Sequence, residues 1–185
     1  MAELIELETD RLRLRQWIQS DRESFARLNA DLRVMEFLPS ILDRVASDAM
    51  IDRLQAKIAE RGWGFWAVES KHDKQFIGFV GLEIPKADLP FSPCVEIGWR
   101  LAFEYWGKGF ATEAAQAALK IGFDRLELPE ILSFTATINH RSSAVMERLG
   151  MSREPETFQH PNLAIGHPLR EHYLYRLSRE KWQSK

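Results

Sequence analysis

Residues 94–125 limit the possible folds more than any other stretch. CVEIGWRLA (94–102) places Val95, Ile97 and Trp99 on one face and Glu96, Gly98 and Arg100 on the other, the period of two that a β-strand imposes. It runs into EYWGKGFATEA (104–114), where Gly107 and Gly109 bracket Lys108, and the pattern turns helical from about Ala111 to Arg125. The first amides of a helix have no internal partner, and the helix dipole is positive there. Glycines let the backbone turn tightly and lie close to a ligand. Together these make an anion site suited to a pyrophosphate; the same residues also serve as an ordinary strand-to-helix turn. Two nucleotide-loop patterns are excluded. The triphosphate-binding loop needs a glycine where Ala102 stands and Ser or Thr where Gly109 stands. The dinucleotide fingerprint needs a third glycine at Thr112, and its ribose-binding acid belongs at the far end of the next strand, which Glu127 precedes.

The rest of the chain supplies partners for this unit. RLRLRQW (11–17) alternates Leu12 and Leu14 with Arg11, Arg13 and Arg15. Ser20 and Glu23 have the spacing of a capping box opening a helix to about Asn29. Residues 44–61 carry Ala46, Met50, Ile51, Leu54 and Ile58 at helical spacing, stopped by Gly62. GFWAVES (64–70) and FIGFVGLEI (76–84) read as a hairpin about the polar turn KHDK (71–74). A strand over EILSFTAT (130–137), a short helix over HRSSAVMERLG (140–150), and strands over about 152–159 and 170–178 complete the order. Early hairpins with a later strand-helix-strand unit imply an α+β class, with a mixed sheet of about seven strands and about four helices.

The 185 residues suit one domain, 1–185, with its core over about 6–180. A net charge of -2 offers no broad basic field for nucleic acid and no acidic tail. Cys94 is the only cysteine, which excludes an internal disulfide and a cysteine-based zinc site. Acids interrupt the apolar residues of MAELIELETDRLRLR, unlike a secretory signal. No apolar run approaches the roughly 20 residues of a membrane span. The expectation is a cytoplasmic protein, without a membrane, as a monomer or homodimer.

GKGFATEA behind EIGWRLAFEYW resembles the acyl-CoA loop of the GNAT acyltransferase superfamily. Gly109 and Ala111 match that loop's small positions, and Trp106 replaces its usual Gln or Arg, as in the branch resembling ribosomal-protein N-terminal acetyltransferases. NHRSSAVMERLGM (139–151) resembles a second motif of that branch through Asn139, Ser142, Val145, Glu147, Arg148 and Gly150, and ETDRLRLRQW resembles its first strand. The resemblance covers about residues 6–180. It implies a GNAT fold and direct acetyl transfer from acetyl-CoA to a primary amine, on a protein N-terminus or a small molecule. The alternative is an acyl-CoA-binding module of the same fold without catalysis. The resemblance further implies that main-chain groups of Trp99, Arg100 and Leu101 meet the pantetheine. Gly107, Lys108, Gly109, Phe110, Ala111 and Thr112 wrap the pyrophosphate, with Trp106 also among the cofactor-binding residues, while Asn139 stands near the pantetheine arm and Ser142 beside the thiol.

Amine acetylation needs a proton acceptor, a polarised carbonyl and a stabilised leaving thiolate. Glu96 is the candidate base, because Gly98 beside it leaves open space above the sheet; an ion pair with Arg100 is its structural alternative. Glu83 is second choice as base and a candidate substrate contact. Ser142 is the candidate acid, since no tyrosine stands near it in sequence; Asn139 can also simply cap the helix. His160 and His167, in FQHPNLAIGHPLREHY with His172, are candidate substrate contacts. Their spacing does not suit a metal. Phe91, Trp63 and Trp66 could wall the groove, although Trp66 reads as core, and Cys94 reads as a buried thiol.

Overall fold

The computed structural model describes residues 2–184. Eight strands form one sheet in the order β1-β2-β3-β4-β5-β6-β8-β7: β1 (Leu7–Glu8), β2 (Leu12–Arg15), β3 (Phe65–Ser70), β4 (Phe76–Glu83), β5 (Glu96–Leu101), β6 (Glu130–Ala136), β7 (Ser152–Gln159) and β8 (Glu171–Ser178). The helices are α1 (Asp21–Ala30), α2 (Arg44–Arg61), α3 (Phe110–Lys120), α4 (His140–Arg148) and α5 (Arg179–Gln183). This is the expected α+β architecture with one strand and one helix more, both among the shortest elements and too short to show a period.

Local chemistry explains most boundaries. Leu12 and Leu14 are fully buried, as their alternation requires. Arg15 is buried too, held by Asp21 at 2.8 and 2.9 Å and by Glu69 at 2.8 Å. That ion pair replaces the expected capping box. Ser20 already has helical angles and its side chain caps nothing, while Asp21 accepts the Ile18 amide at 2.9 Å. Asp43 starts α2 by accepting the Ala46 amide at 2.7 Å, and Gly62 ends it in the left-handed region. The helix expected to run to Arg125 loosens into a π turn over Ile121–Arg125. Gly122 lies there so close to the sheet that a Cβ would come within 2.5 Å of Ile131 Cδ1.

Every neighbouring pair of strands is antiparallel except β5 and β6, which run parallel with one register pair, Glu96 and Leu132, and one side-chain tie, Ser133 Oγ donating to Ile97 O at 2.9 Å. Beyond that pair the two strands splay. Leu82 and Ile131 face the α3 side of the sheet. Their cross-strand partners place Ile97, Val80 and Trp99 on or beside that face. The opposite face carries Phe79, Gly81, Glu83, Glu96, Gly98 and Arg100. There α1 covers the β4 end, through Phe25 against Phe79. On the β6 and β8 half, the same face carries Phe134 and His172.

Candidate active site

Gly107 and Gly109 both adopt left-handed angles, at φ 70° and 79°, which an L side chain would strain. Gly109 is the N-cap of α3 and offers no side chain to it. The amides of Phe110, Ala111 and Thr112 therefore point out of the helix start without internal acceptors. Trp106, in the place of the usual polar residue, donates its indole N–H to Leu101 O at 2.8 Å and so fastens the loop to the end of β5. The loop is also held from behind. Arg11 donates to Lys108 O at 2.9 Å and to Glu113 Oε2 at 2.6 Å, and its guanidinium lies 4.4 Å from the Phe110 ring. Glu113 further accepts Thr9 Oγ1 at 2.6 Å and the Arg11 amide at 3.0 Å. Sequence reading missed this clamp, whose halves lie about a hundred positions apart. The Lys108 ammonium stands 5.4 Å from the Tyr105 ring.

The splay of β5 and β6 opens beside this loop. The Ala102 amide bonds Ile77 O. By antiparallel alternation, the backbone of Arg100 therefore faces β4 and that of Trp99 faces β6. Three consecutive main-chain contacts are thus not all available. Trp99 keeps its amide and carbonyl toward the gap, and Leu101 keeps only its amide, its carbonyl being taken by Trp106. Across the gap, Asn139 Oδ1 accepts the Ser142 amide at 3.2 Å, and its Nδ2 donates to Thr135 Oγ1 at 2.9 Å and Ser142 Oγ at 3.1 Å. Asn139 is thus the cap of α4, and Ser142 retains a hydroxyl proton to donate. The fold does bring a tyrosine to α4. Tyr175 donates to Glu147 at 3.2 Å, but its ring is fully buried, so it does not reach the gap.

Glu96 and Glu83 face each other across β5 and β4. The cations all stand beside Glu83. Lys57 is 2.7 Å and Arg61 2.9 Å from its carboxylate, which is almost fully buried. Glu96 has no ion pair and no hydrogen bond among the described residues, and the expected alternative, pairing with Arg100, does not form. Burial, the Glu83 charge and only partial compensation from Lys57 raise the Glu96 carboxyl to about 8. The space expected above Gly98 is filled: a Cβ there would lie 3.1 Å from the Phe65 ring. The glycine admits an aromatic wall from β3, itself 5.0 Å from Phe79.

A ring cluster borders this face. Phe91 lies 4.9 Å from Phe158, Phe158 5.8 Å from Phe134, and His160 5.0 Å from His172. Burial lowers His160, and it is the main cause lowering His172 to about 4, so both imidazoles are neutral at physiological pH. His167 stays outside this cluster, its Nδ1 accepting the Leu169 amide at 3.1 Å within its own turn. Trp66 is core, donating to Ile5 O at 2.7 Å. Trp63 packs partly buried at the core's margin. Cys94 is half-buried rather than sealed in the core, and burial is the main cause raising its thiol. Among the described residues no group of His, Cys, Asp and Glu could hold a metal ion, and no helix is long and apolar enough to cross a membrane.

Residues 11–152 match the acetyltransferase (GNAT) domain. The chain is 31% identical over 148 residues to YkkB of Bacillus subtilis, covering 78% of this chain and 84% of that one. It is 29% identical over 130 residues to the FsC-acetyl coenzyme A-N(2)-transacetylase of Aspergillus fumigatus, covering 65% and 52%. The fold superposes on a GNAT-family acetyltransferase from Bacillus anthracis with TM-score 0.79 and 25% identity, over 95% of this chain and 99% of that one. The domain match spans the glycine loop, the splayed strands and the Asn139 cap together, and on that ground this chain belongs to the GNAT acetyltransferase family.

Proposed function

We propose that the protein transfers the acetyl group of acetyl-CoA directly to a primary amine, on a protein N-terminus or a small molecule. The observation that carries this reading is the parallel pair β5 and β6, with a single register pair and the Ser133 tie to Ile97, splayed beside the free amides of α3. A peptide-like arm laid in such a gap uses the hydrogen bonds of strand addition, here those of Trp99 and the Leu101 amide. The amides of Phe110, Ala111 and Thr112, with Lys108 nearby, suit the pyrophosphate.

Glu96, directly or through one water, takes a proton from the acceptor's ammonium. The amine nitrogen then bonds to the acetyl carbon, the carbon–sulfur bond breaks, the departing sulfur takes a proton from the Ser142 hydroxyl, and the nitrogen gives up its second proton, which through water restores that hydroxyl. Glu83 is committed to Lys57 and Arg61, which favours Glu96 as the base. His160, with Phe91 and Phe134, borders the acceptor's approach.

The test is thiol release from acetyl-CoA against a panel of peptides and small amines. Acetylated product with at least one acceptor is expected. Binding of acetyl-CoA without turnover on any acceptor would instead indicate an acyl-CoA-binding module.

A further inference from the structure

Arg141 crosses the mouth of the splayed gap. Its backbone stands in the first turn of α4, between the cap Asn139 and Ser142. Its guanidinium lies 4.6 Å from the ring of Trp106 on the opposite rim, where the indole is fastened to Leu101 O. The Phe37 ring lies 5.3 Å away, and Nη2 donates to Glu36 Oε2 at 2.5 Å. Glu36 and Phe37 belong to the segment between α1 and α2. One guanidinium thus ties three parts of the chain together at the gap.

The other cations nearby are held differently. Arg11 grips the loop from behind, through Lys108 O and Glu113. Lys108 stands over the Tyr105 ring. Arg33 lies 3.9 Å from the Phe103 ring, beside Trp106, but Asp31 takes its Nε at 2.9 Å and its Nη2 at 2.6 Å. The Arg141 side chain makes its one hydrogen bond among the described residues to Glu36. Both partners are about half exposed, and an exposed ion pair of this kind contributes little. It yields readily to a stronger anion.

We infer that Arg141 exchanges Glu36 for a phosphate of acetyl-CoA, which makes Glu36 a built-in competitor of the cofactor. This rests on acetyl-CoA being the donor proposed above. Trp106 directly precedes Gly107, and the guanidinium stacked on it stands at the end of the cradle proposed for the pyrophosphate. A planar guanidinium matches two phosphate oxygens, and stacking on a ring leaves its edge nitrogens free for them. The Glu36 carboxylate takes the same cation and repels the same phosphate.

The experiment measures the Kd of acetyl-CoA and of its 3′-dephospho form by calorimetric titration at low salt, where exposed charges act most strongly. The proteins are the wild type, Arg141→Gln, Arg141→Lys, Glu36→Gln and the variant carrying both Arg141→Gln and Glu36→Gln, with Tm as the check on folding. Arg141→Gln should weaken acetyl-CoA about tenfold, and Arg141→Lys should restore part of that. Glu36→Gln should tighten binding about twofold or more, and the gain should vanish when Arg141→Gln is added. A purely structural pair would instead show both single variants weakening binding alike. A loss in Arg141→Gln common to both ligands assigns the contact to the pyrophosphate, and a loss confined to acetyl-CoA assigns it to the 3′-phosphate; either supports the inference. An unchanged Kd in Arg141→Gln, no tightening in Glu36→Gln, or a gain that persists in the double variant overturns it and leaves acetyl transfer standing. Absence of binding by the wild type would overturn the inference and the proposed function together.

Discussion

At the residue scale, two facing glutamates have opposite surroundings, and the proposed chemistry turns on them. Glu83 has two cations within 3 Å, and Glu96 opposite it has none, which is the ground for proposing Glu96 and not Glu83 as the base. With the Glu96 carboxyl near 8 against an ordinary 4.5, kcat/KM should rise with pH to a limb near 8. An acceptor amine with its own pKa well below 7 isolates that limb. Glu96→Gln should abolish it and lower kcat by about a hundredfold or more; full activity in this variant would remove Glu96 from the mechanism. The same shift acts on stability. Folding favours the protonated carboxyl, so its contribution is full below about pH 4.5 and is lost as pH rises through 8. The Tm of Glu96→Gln should therefore exceed that of wild type at pH 9 and converge with it near pH 5.

At the scale of elements, the glycine loop depends on partners from the other end of the chain. Arg11 and Thr9 reach Glu113 in the first turn of α3 and fix where its free amides point. Glu113→Ala should raise KM for acetyl-CoA about tenfold, one lost positioning interaction of roughly 1.4 kcal/mol, and leave the pH limb of Glu96 in place. Movement of the limb would show that the clamp acts on the base instead. Gly109→Ala forces an L residue to φ 79°, a strain of about 1–2 kcal/mol, and should weaken acetyl-CoA binding without shifting the acceptor KM. Binding isotherms distinguish the two. The buried Arg15–Asp21 pair sets the start of α1, and Asp21→Asn should destabilise the fold by about 1–3 kcal/mol, since the buried guanidinium keeps only Glu69 as its counter-charge. Chemical denaturation measures that loss.

At the scale of the whole molecule, strands β1 to β5 and strands β6 to β8 are two antiparallel blocks joined by one register pair and the Ser133 bond to Ile97 O. A ligand in the gap adds the hydrogen bonds that the sheet leaves unmade. Acetyl-CoA at a hundredfold excess over its Kd should add about 2.7 kcal/mol. Hydrogen exchange should then show new protection on β5 and on the α4 start together. Protection confined to the glycine loop would mean that the gap is not the binding path.

The sequence by itself determined most of the elements and the glycine loop. Strand and helix periods, Gly62, Gly107, Gly109 and the Asn139 cap are local features, set by backbone angles and by side chains a few residues apart, and they lie where their pattern places them. The family motifs were legible for the same reason. Ser20 failed as a cap because Asp21 is drawn to Arg15, and the space above Gly98 was lost to Phe65, a residue two strands away. Whether Glu96 pairs with Arg100, which glutamate keeps the cations, what holds the glycine loop and which histidines gather are decided by groups tens of residues apart. Only the tertiary structure sets those distances, because charge and burial act through space while periodicity acts along the chain.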